Sequence, residues 1–126
     1  FAYEAGRGLS YEPDLDHPLL IPTTGDARPT WKLDNFLAAI GKAEPGKICV
    51  LQFHGVPDIE HPWVHTPEEQ FEIYMRTLKE EGFTVIALRD IEKYADLSGA
   101  PCDPWHGIRT RLAEREKSTP TLKQAK

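Results

Sequence analysis

The sequence is short of cysteines, of basic residues and of long apolar runs. Its 126 residues include two cysteines, Cys49 in a predicted buried strand and Cys102 in a Pro-rich segment, which argues against a disulfide framework. No apolar run approaches the ~18 residues of a transmembrane helix, and the amino-terminal residues lack the basic and apolar regions of a signal peptide. We therefore expect a soluble chain without a membrane partner, and we favour the cytoplasm.

Acidic residues outnumber basic ones, 20 Asp and Glu against 15 Lys and Arg, which leaves a net charge of −5. Proteins that bind DNA or RNA through a basic surface need clustered Lys and Arg, and only the carboxyl-terminal segment offers such a cluster. A nucleic-acid partner is therefore not expected. The chain has the length and composition of one globular domain with one core. Because residue 1 is Phe rather than Met, we expect a processed or trimmed chain with a segment missing upstream.

Both ends of the chain are predicted to be less regular than its middle. Residues 1–29 carry repeated Gly, Pro and Asp, which indicates an irregular arm with one short edge strand at residues 19–21. This arm belongs to a domain over residues 1–97. Residues 98–126 are highly charged and poor in apolar residues, so we expect a tail, with a terminal helix over residues 105–117 as one alternative.

Helical and strand patterns alternate between these ends. Apolar residues recur near helical spacing after Thr30, which can cap a helix of about three turns. Residues 47–54 are mostly apolar and β-prone, as is typical of a buried strand. A second such run covers residues 83–88, and Asp90 after it can cap a short helix through Tyr94.

The clearest helix signal lies between the two predicted strands. Thr66 is the predicted N-cap, Pro67 the first helical residue, and Glu69 completes a capping box. Gly82 is predicted to end the helix. Its buried stripe is predicted to consist of Phe71, Tyr74, Met75 and Leu78.

The alternation of helices and strands predicts an α/β fold with a parallel sheet or a barrel segment and right-handed crossovers. The carboxyl ends of parallel strands meet on one face, so His54 and Asp90 are expected on the same rim. His54 is the first candidate for catalysis, because a strand-end imidazole has a fixed backbone and exchanges protons near neutral pH. The alternative is a core histidine that hydrogen bonds to a backbone carbonyl.

The loop after His54 contains Asp58, His61 and His65, whose carboxylate and imidazole groups are suitable ligands for a divalent metal. Three prolines in and around this loop prevent a helix that would place both histidines on one face. A loop fixed by prolines and histidine hydrogen bonds is the alternative to a metal site.

Two tryptophans and an aspartate complete the candidates. Trp31 and Trp63 can line a pocket, since indoles offer flat apolar surface with one donor, or they can pack in the core. Asp26 lies in the segment TGDARP, where it can orient a neighbouring side chain or make an Asx turn.

The segment LQFHGVPDIEHPWVHTPEEQFEIYMRTLKEEGFTVIALRDIEKY resembles the end of the polysaccharide deacetylase family, closest to a bacterial branch with HG after the strand-end histidine. The resemblance runs from about Pro18 to Tyr94, and the family consists of metal-dependent amide hydrolases with a distorted (β/α) barrel. It implies that His54 is the general acid that protonates the leaving amine and that Asp26 and Trp31 help to orient it. It also implies that Asp58, His61, Trp63, His65 and Trp31 lie on the substrate side, facing a small carbohydrate or amide.

The sequence departs from the family pattern in two respects. Gln52 stands where family members have a leucine that shapes an acetyl pocket, which indicates a different substrate or an outward-facing side chain. The TFDDG-like segment and the HxxxH segment, which supply the base and metal ligands, are absent. We therefore expect the carboxyl-terminal part of a (β/α) barrel that binds no metal by itself and does not hydrolyse amides alone. The resemblance implies that a complete member holds a divalent metal, with zinc as the expected ion.

Two other hypotheses stay open from the sequence. The chain can be a non-catalytic interaction domain whose exposed sheet edge pairs with a partner or with a second copy in a homo-oligomer. It can also be a small self-contained metal protein that uses Asp58, His61 and His65.

Overall fold

The structure, a computed structural model, describes residues 8–118. These residues form a mixed α/β arrangement with one sheet of two parallel strands. In chain order the elements are strand β1 (Gly25–Asp26), helix α1 (Leu33–Ile40), strand β2 (Leu51–Gln52), helix α2 (Glu68–Glu80), a 3-10 helix (Leu88–Lys93) and helix α3 (His106–Ser118). The predicted α/β class and the parallel sheet are confirmed at this level, and the barrel stays a prediction.

The sheet is short because each strand pairs over two residues. Gly25 pairs with Leu51 and Asp26 with Gln52. Just before this ladder, the Thr24 hydroxyl accepts the Val50 N–H at 2.9 Å, in place of a backbone carbonyl. Of the predicted strand over residues 47–54, the structure retains Leu51–Gln52 as a strand. Before β2, residue 48 pairs antiparallel with residue 11 of the arm.

The predicted edge strand at residues 19–21 is wrong. The Leu20 N–H donates to the His17 carbonyl at 2.9 Å, which closes a turn, and the Leu19 side chain is 87% exposed. Two flanking prolines, Pro18 and Pro22, lack backbone donors, so this segment is poorly suited to a ladder.

The core lies between the sheet and the two central helices. Phe36 of α1 and Tyr74 of α2 stack with ring centroids 4.4 Å apart, and Trp31 meets both rings edge-on. Gly25 lies directly over this core, where a Cβ atom would come within 2.8 Å of Trp31 Cη2. Glycine is therefore required here so that β1 can pack closely on the indole.

Both central helices begin later than the capping residues predicted. Lys32 is the N-cap of α1 rather than Thr30, and its N–H donates to the Asn35 side-chain oxygen at 2.9 Å. Pro67 is the N-cap of α2. The Thr66 hydroxyl is buried without a hydrogen-bond partner in the described chain, so the capping box is wrong. Thr66 is held instead by its backbone N–H, which donates to the Gly55 carbonyl.

The end of α2 agrees with the sequence, and Gly82 follows it with φ of +79°. The predicted strand over residues 83–88 is wrong, since residues 83–87 form no strand and Val85 is 67% exposed. An apolar groove of about 320 Å³ separates this segment from residues 48–53. Asp90 does not cap the 3-10 helix, whose N-cap is Ala87, but forms an ion pair with Lys93 at 3.2 Å.

The predicted terminal helix over residues 105–117 is confirmed as α3, whose described bounds lie within one residue of it. It packs on the arm rather than extending as a tail. Ile108 is buried, and Arg111 donates to the Ser10 carbonyl at 2.9 Å and pairs with the carboxylates of Glu12 and Asp16. The sequence offered no sign of these contacts.

Within residues 8–118, every helix is too short or too polar to cross a lipid bilayer.

Candidate active site

The candidate site lies where the two parallel strands end. β1 ends at Asp26 and β2 at Gln52, and these two residues are paired in register. The chain after β1 stays beside β2 through a hydrogen bond from the Ala27 N–H to the Gln52 carbonyl at 2.9 Å. His54 follows two residues after this point. The parallel register therefore brings a carboxylate and an imidazole together from segments 28 positions apart.

His54 and Asp26 are joined by a short hydrogen bond, with 2.7 Å between Nε2 of the imidazole and Oδ1 of the carboxylate. The Asp26 side chain is 6% exposed and the His54 side chain 26% exposed. Asp26 is thus almost buried, while the imidazole of His54 is partly exposed to solvent. The orienting contact that the sequence proposed for Asp26 is present, and the alternative Asx turn gives way to a place in β1.

Arg28 approaches the same carboxylate from the other side, with 2.8 Å between its Nη2 atom and Asp26 Oδ2. Each oxygen of Asp26 therefore has a cationic or potentially cationic partner. Such pairing stabilises an ionised carboxylate that is mostly withdrawn from water. Arg28 is 35% exposed, so its guanidinium lies at the boundary between the site and solvent.

When Asp26 is ionised, its contact with His54 assigns a role to each imidazole nitrogen. An ionised carboxylate can only accept hydrogen bonds, so Nε2 carries the hydrogen that is donated to Oδ1. Nδ1 is then the atom that gains or loses the second proton. The arrangement can hold an imidazolium in one orientation, with Nδ1 as the nitrogen that releases a proton.

Trp31 packs in the core next to β1 instead of lining a substrate pocket. Its ring centroid lies 6.0 Å from that of Tyr74, and its carbonyl accepts the Tyr74 hydroxyl at 3.3 Å. Its indole also packs against Gly25, the residue before Asp26. The core-packing alternative describes this residue better than the substrate-binding prediction.

The loop after His54 is held by its own hydrogen bonds. Asp58 accepts from Nδ1 of His61 at 2.9 Å, and the Asp58 N–H donates to Nδ1 of His65 at 2.8 Å. The hydrogen bond from His61 lowers the pKa of the Asp58 carboxyl below its ordinary value of 3.8, although desolvation opposes this effect. Gly55 allows the loop to turn back tightly, since a Cβ atom there would lie 2.5 Å from Asp58 Cβ.

These contacts favour the fixed-loop interpretation over a metal site. Among residues 8–118, no group of three or more His, Cys, Asp or Glu side chains is arranged to hold a metal ion. The Asp58 carboxylate is engaged by His61, and Nδ1 of His65 by a backbone N–H. The described residues therefore do not fit the divalent metal, zinc by resemblance, that the family uses.

The loop begins at His54 and returns beside it, because residues 55 and 65 form a parallel bridge. Trp63 is 64% exposed and meets His61 edge-on, with ring centroids 5.3 Å apart. An exposed indole supported by an imidazole offers a flat apolar surface next to the strand end. The substrate-side role of Trp63 and His61 stays a prediction. Within residues 8–118, no hydrogen bond or ion pair joins Asp90 to His54.

Sequence reasoning missed Arg28, although a signal was available. Residues two apart on an extended segment point to the same face, so Asp26 and Arg28 are natural neighbours if residues 25–28 are extended. The Gly and Pro of this segment indicate a turn, which conceals the spacing.

Comparison of the chain with protein-family models, with curated proteins and with solved structures found no match.

Proposed function

We propose that this chain is the proton-donating part of a metal-dependent carbon–nitrogen hydrolase of the polysaccharide deacetylase type, with His54 as its general acid. One observation carries the proposal, the 2.7 Å hydrogen bond between His54 and Asp26 at the carboxyl ends of two parallel strands. In α/β proteins this edge of the sheet is the usual place for catalysis. We also place the activity in the cytoplasm.

The chemistry of amide cleavage explains why a histidine in this setting is useful. An amine is a poor leaving group until its nitrogen is protonated, so breakdown of the tetrahedral intermediate needs a positioned acid. With Nε2 held by Asp26, the Nδ1 proton of His54 is available to that nitrogen. The nearly buried carboxylate of Asp26 stabilises the imidazolium before transfer and keeps its orientation.

The substrate side of the proposed site is the loop with His61 and Trp63. An exposed aromatic ring next to hydrogen-bonding groups suits a small carbohydrate, whose apolar ring face stacks while its hydroxyls make hydrogen bonds. Gln52 does not line this surface as an acetyl-pocket leucine would, since its side-chain oxygen accepts from the Thr23 hydroxyl at 3.4 Å. We therefore propose a small carbohydrate or amide substrate without specifying an acetyl group.

Activation of water is assigned to residues outside this chain. The described residues do not fit a metal site, so no step of the proposal passes through a metal held by them. We propose that residues 1–126 alone do not hydrolyse amides and that the base and the metal ligands come from a segment outside them.

The experiment compares the 126-residue chain with the longest product of the reading frame that encodes it, supplied with zinc. Release of amine is measured on N-acylated and N-acetylated oligosaccharides. We expect no activity from the short chain and activity from the long one, reduced on the order of 10²- to 10⁴-fold by His54→Ala. The matched control is His106→Ala, at an exposed position on α3. Robust activity of the short chain, or a His54→Ala variant as active as the control, contradicts the proposal.

A second candidate function, an interaction domain, is favoured by the apolar groove between residues 48–53 and 83–88. Val85 on one wall is 67% exposed, and β2 is paired with β1 on one edge. Two copies related by a two-fold axis could pair such edges and cover both grooves. Sedimentation velocity tests it: a dimer is expected, Val85→Lys should yield monomers, and Ile73→Lys on α2, outside the groove, should not. A monomeric wild-type chain excludes this candidate.

A further inference from the structure

Residues 83–88 form a strap that is fixed at both ends and free between them. At one end the Phe83 N–H donates to the Leu78 carbonyl at 3.0 Å, directly after α2. At the other end Ile91 of the 3-10 helix is buried, with 7% of its surface exposed. Residues 84–86 make no backbone hydrogen bond to another described residue, although their types, Thr, Val and Ile, favour strands. No such bond therefore holds the middle of the strap in place.

The edge of β2 that faces the strap is also unpaired. On the opposite edge, the Val50 carbonyl accepts the Gly25 N–H at 3.1 Å and the Gln52 carbonyl accepts the Ala27 N–H at 2.9 Å. Successive carbonyls of a strand point to opposite sides, so the carbonyl of Leu51 points away from β1. Leu51 lines the apolar groove that separates β2 from the strap. Two segments with unpaired backbone groups thus face each other across apolar side chains.

We propose that the strap closes on this edge as a third parallel strand and opens again, so that the sheet alternates between two and three strands. The parallel direction follows from the chain order, since α2 lies between β2 and the strap as in a strand–helix–strand unit. Closure pairs the free backbone groups of both segments and covers Val85, which is 67% exposed. The loss of conformational entropy in the strap opposes closure, which makes it reversible.

Closure affects the candidate site through Phe53. This residue lines the groove and directly precedes His54. Its ring meets that of Phe71 on α2 edge-on, with centroids 5.0 Å apart. A strand docked on this edge restricts the backbone that carries the imidazole, and so helps to keep His54 in its hydrogen bond with Asp26. This consequence rests on the proposed function of His54 as a general acid, whereas closure of the strap does not.

The test is hydrogen exchange of the backbone amides, measured by NMR on the 126-residue chain. In a paired edge strand, every second N–H is bonded to the neighbouring strand and the others face solvent. We therefore expect alternating exchange rates along the strap. Every second amide, together with that of Leu51, should exchange slower by roughly tenfold or more than in an unstructured peptide of the same sequence. Exchange that does not alternate, or that is as fast as in the peptide, overturns the proposal.

A second copy of the chain is the other possible source of a strand for this edge. Closure occurs within one chain, so the exchange pattern should stay the same when the protein is diluted. Loss of the slow exchange on dilution assigns the edge to a second copy and also overturns the proposal.

Val85→Pro and Ile86→Pro are matched variants for the same measurement. Proline lacks an N–H, and adjacent residues of a strand direct their N–H groups to opposite sides. One variant therefore removes a bond to β2, and the other removes a group that faces solvent, where edge strands tolerate proline. We expect one variant to lose the slow exchange of Leu51 and the other to keep it. Equal effects of both overturn the proposal, and the wild-type pattern decides it if a variant does not fold.

The exchange pattern separates this proposal from the proposed function, because it requires no hydrolysis. In the longer protein, the proline variant that opens the strap should lower kcat, and the other should leave it unchanged. Alternating exchange in a longer protein without amide hydrolysis contradicts the proposed function and leaves the strap. Active longer protein without alternating exchange removes the strap and leaves the role of His54.

Discussion

Arg111 of α3 and Asp16 of the amino-terminal arm form a buried ion pair between residues 95 positions apart. Their side chains are 10% and 1% exposed. Asp16 also accepts the Glu12 N–H at 2.8 Å, and Arg111 donates to the Ser10 carbonyl. This ion pair joins the two ends of the described chain, so α3 belongs structurally to the arm that supports β2.

Replacement of Arg111 by Ala should therefore destabilise the fold strongly. It leaves Asp16 charged and buried without its partner, which typically costs ~3–5 kcal/mol of unfolding free energy. Urea denaturation followed by circular dichroism measures the loss. Arg109→Ala is the matched control on the same helix, because its ion pair with Asp103 is exposed and such pairs contribute ~1 kcal/mol or less.

The loss of stability in Arg111→Ala should become smaller as the pH falls. Burial raises the pKa of the Asp16 carboxyl above 3.8, although the Glu12 N–H and Arg111 oppose this rise. Without Arg111 the pKa rises further, so the variant recovers stability as the pH falls and Asp16 is protonated. An Arg111→Ala variant that is equally destabilised at pH 7 and pH 4 would show that the ion pair is not the cause.

The sequence predicts the central helices because their apolar spacing reports burial directly. Tyr74 and Leu78 of the predicted stripe on α2 are 1% and 5% exposed. The capping box at Thr66 is wrong because its buried hydroxyl makes no hydrogen bond within the described chain and Pro67 is the N-cap. Caps depend on the path of the chain before the helix, which local residue types do not determine.

Strands were predicted less well, since a strand is defined by its neighbour. The run over residues 83–88 is apolar and β-prone, yet no neighbouring strand is hydrogen bonded to it in the described chain. Gly25 and Asp26 were expected in a turn but pair with β2, where the glycine makes room for Trp31. A sequence pattern indicates that a segment can form a strand but does not supply the partner.

The candidate site was predictable only in part, because its ion pairs also depend on which segments become neighbours. His54 follows an apolar run, which marks it as a strand-end histidine, and its link to Asp26 came from the resemblance. The ion pair of Arg28 with Asp26 depends on the backbone after β1 being extended, and that of Arg111 on two distant segments meeting. Neither condition is visible in residue types alone.

The two cysteines should differ in reactivity. The Cys49 thiol donates to the Ala39 carbonyl at 3.3 Å, and burial raises the pKa of Cys49 above 9.0, whereas Cys102 is exposed. The thiolate is the reactive form, so less of Cys49 is available at pH 8 and access to it is restricted. We expect iodoacetamide to modify Cys102 faster, by roughly tenfold or more, because both the thiolate fraction and the accessibility of Cys49 are reduced.

Single variants assign the two rates, with Cys102→Ser reporting Cys49 and Cys49→Ala reporting Cys102. Both thiols are free in the structure, in agreement with the expected lack of a disulfide. Urea should abolish the difference, because unfolding exposes Cys49 and restores its ordinary pKa. Equal rates in the folded chain would contradict the burial of Cys49 against α1.

The hydrogen bond between His61 and Asp58 should lower the midpoint of the acid titration of the Asp58 carboxyl. His61 lowers the pKa of Asp58 below 3.8, so the stabilisation from this contact is present above pH 3.8 and is lost as the pH falls through the lowered value. Carbon-detected NMR of the Asp58 carboxyl measures the midpoint directly. His61→Ala should return it towards 3.8, since it removes the largest cause of the shift.

His17→Ala is the matched control for this experiment, because His17 accepts a backbone N–H in the arm and does not contact the loop. It should leave the midpoint of Asp58 unchanged. The same spectra report on the loop, because the Asp58 N–H donates to His65 and protonation of His65 at Nδ1 would break that bond. If Asp58 titrates at its ordinary pKa in the wild-type chain, the loop is not closed by His61, and the edge-on contact of Trp63 with His61 no longer fixes the indole in the loop.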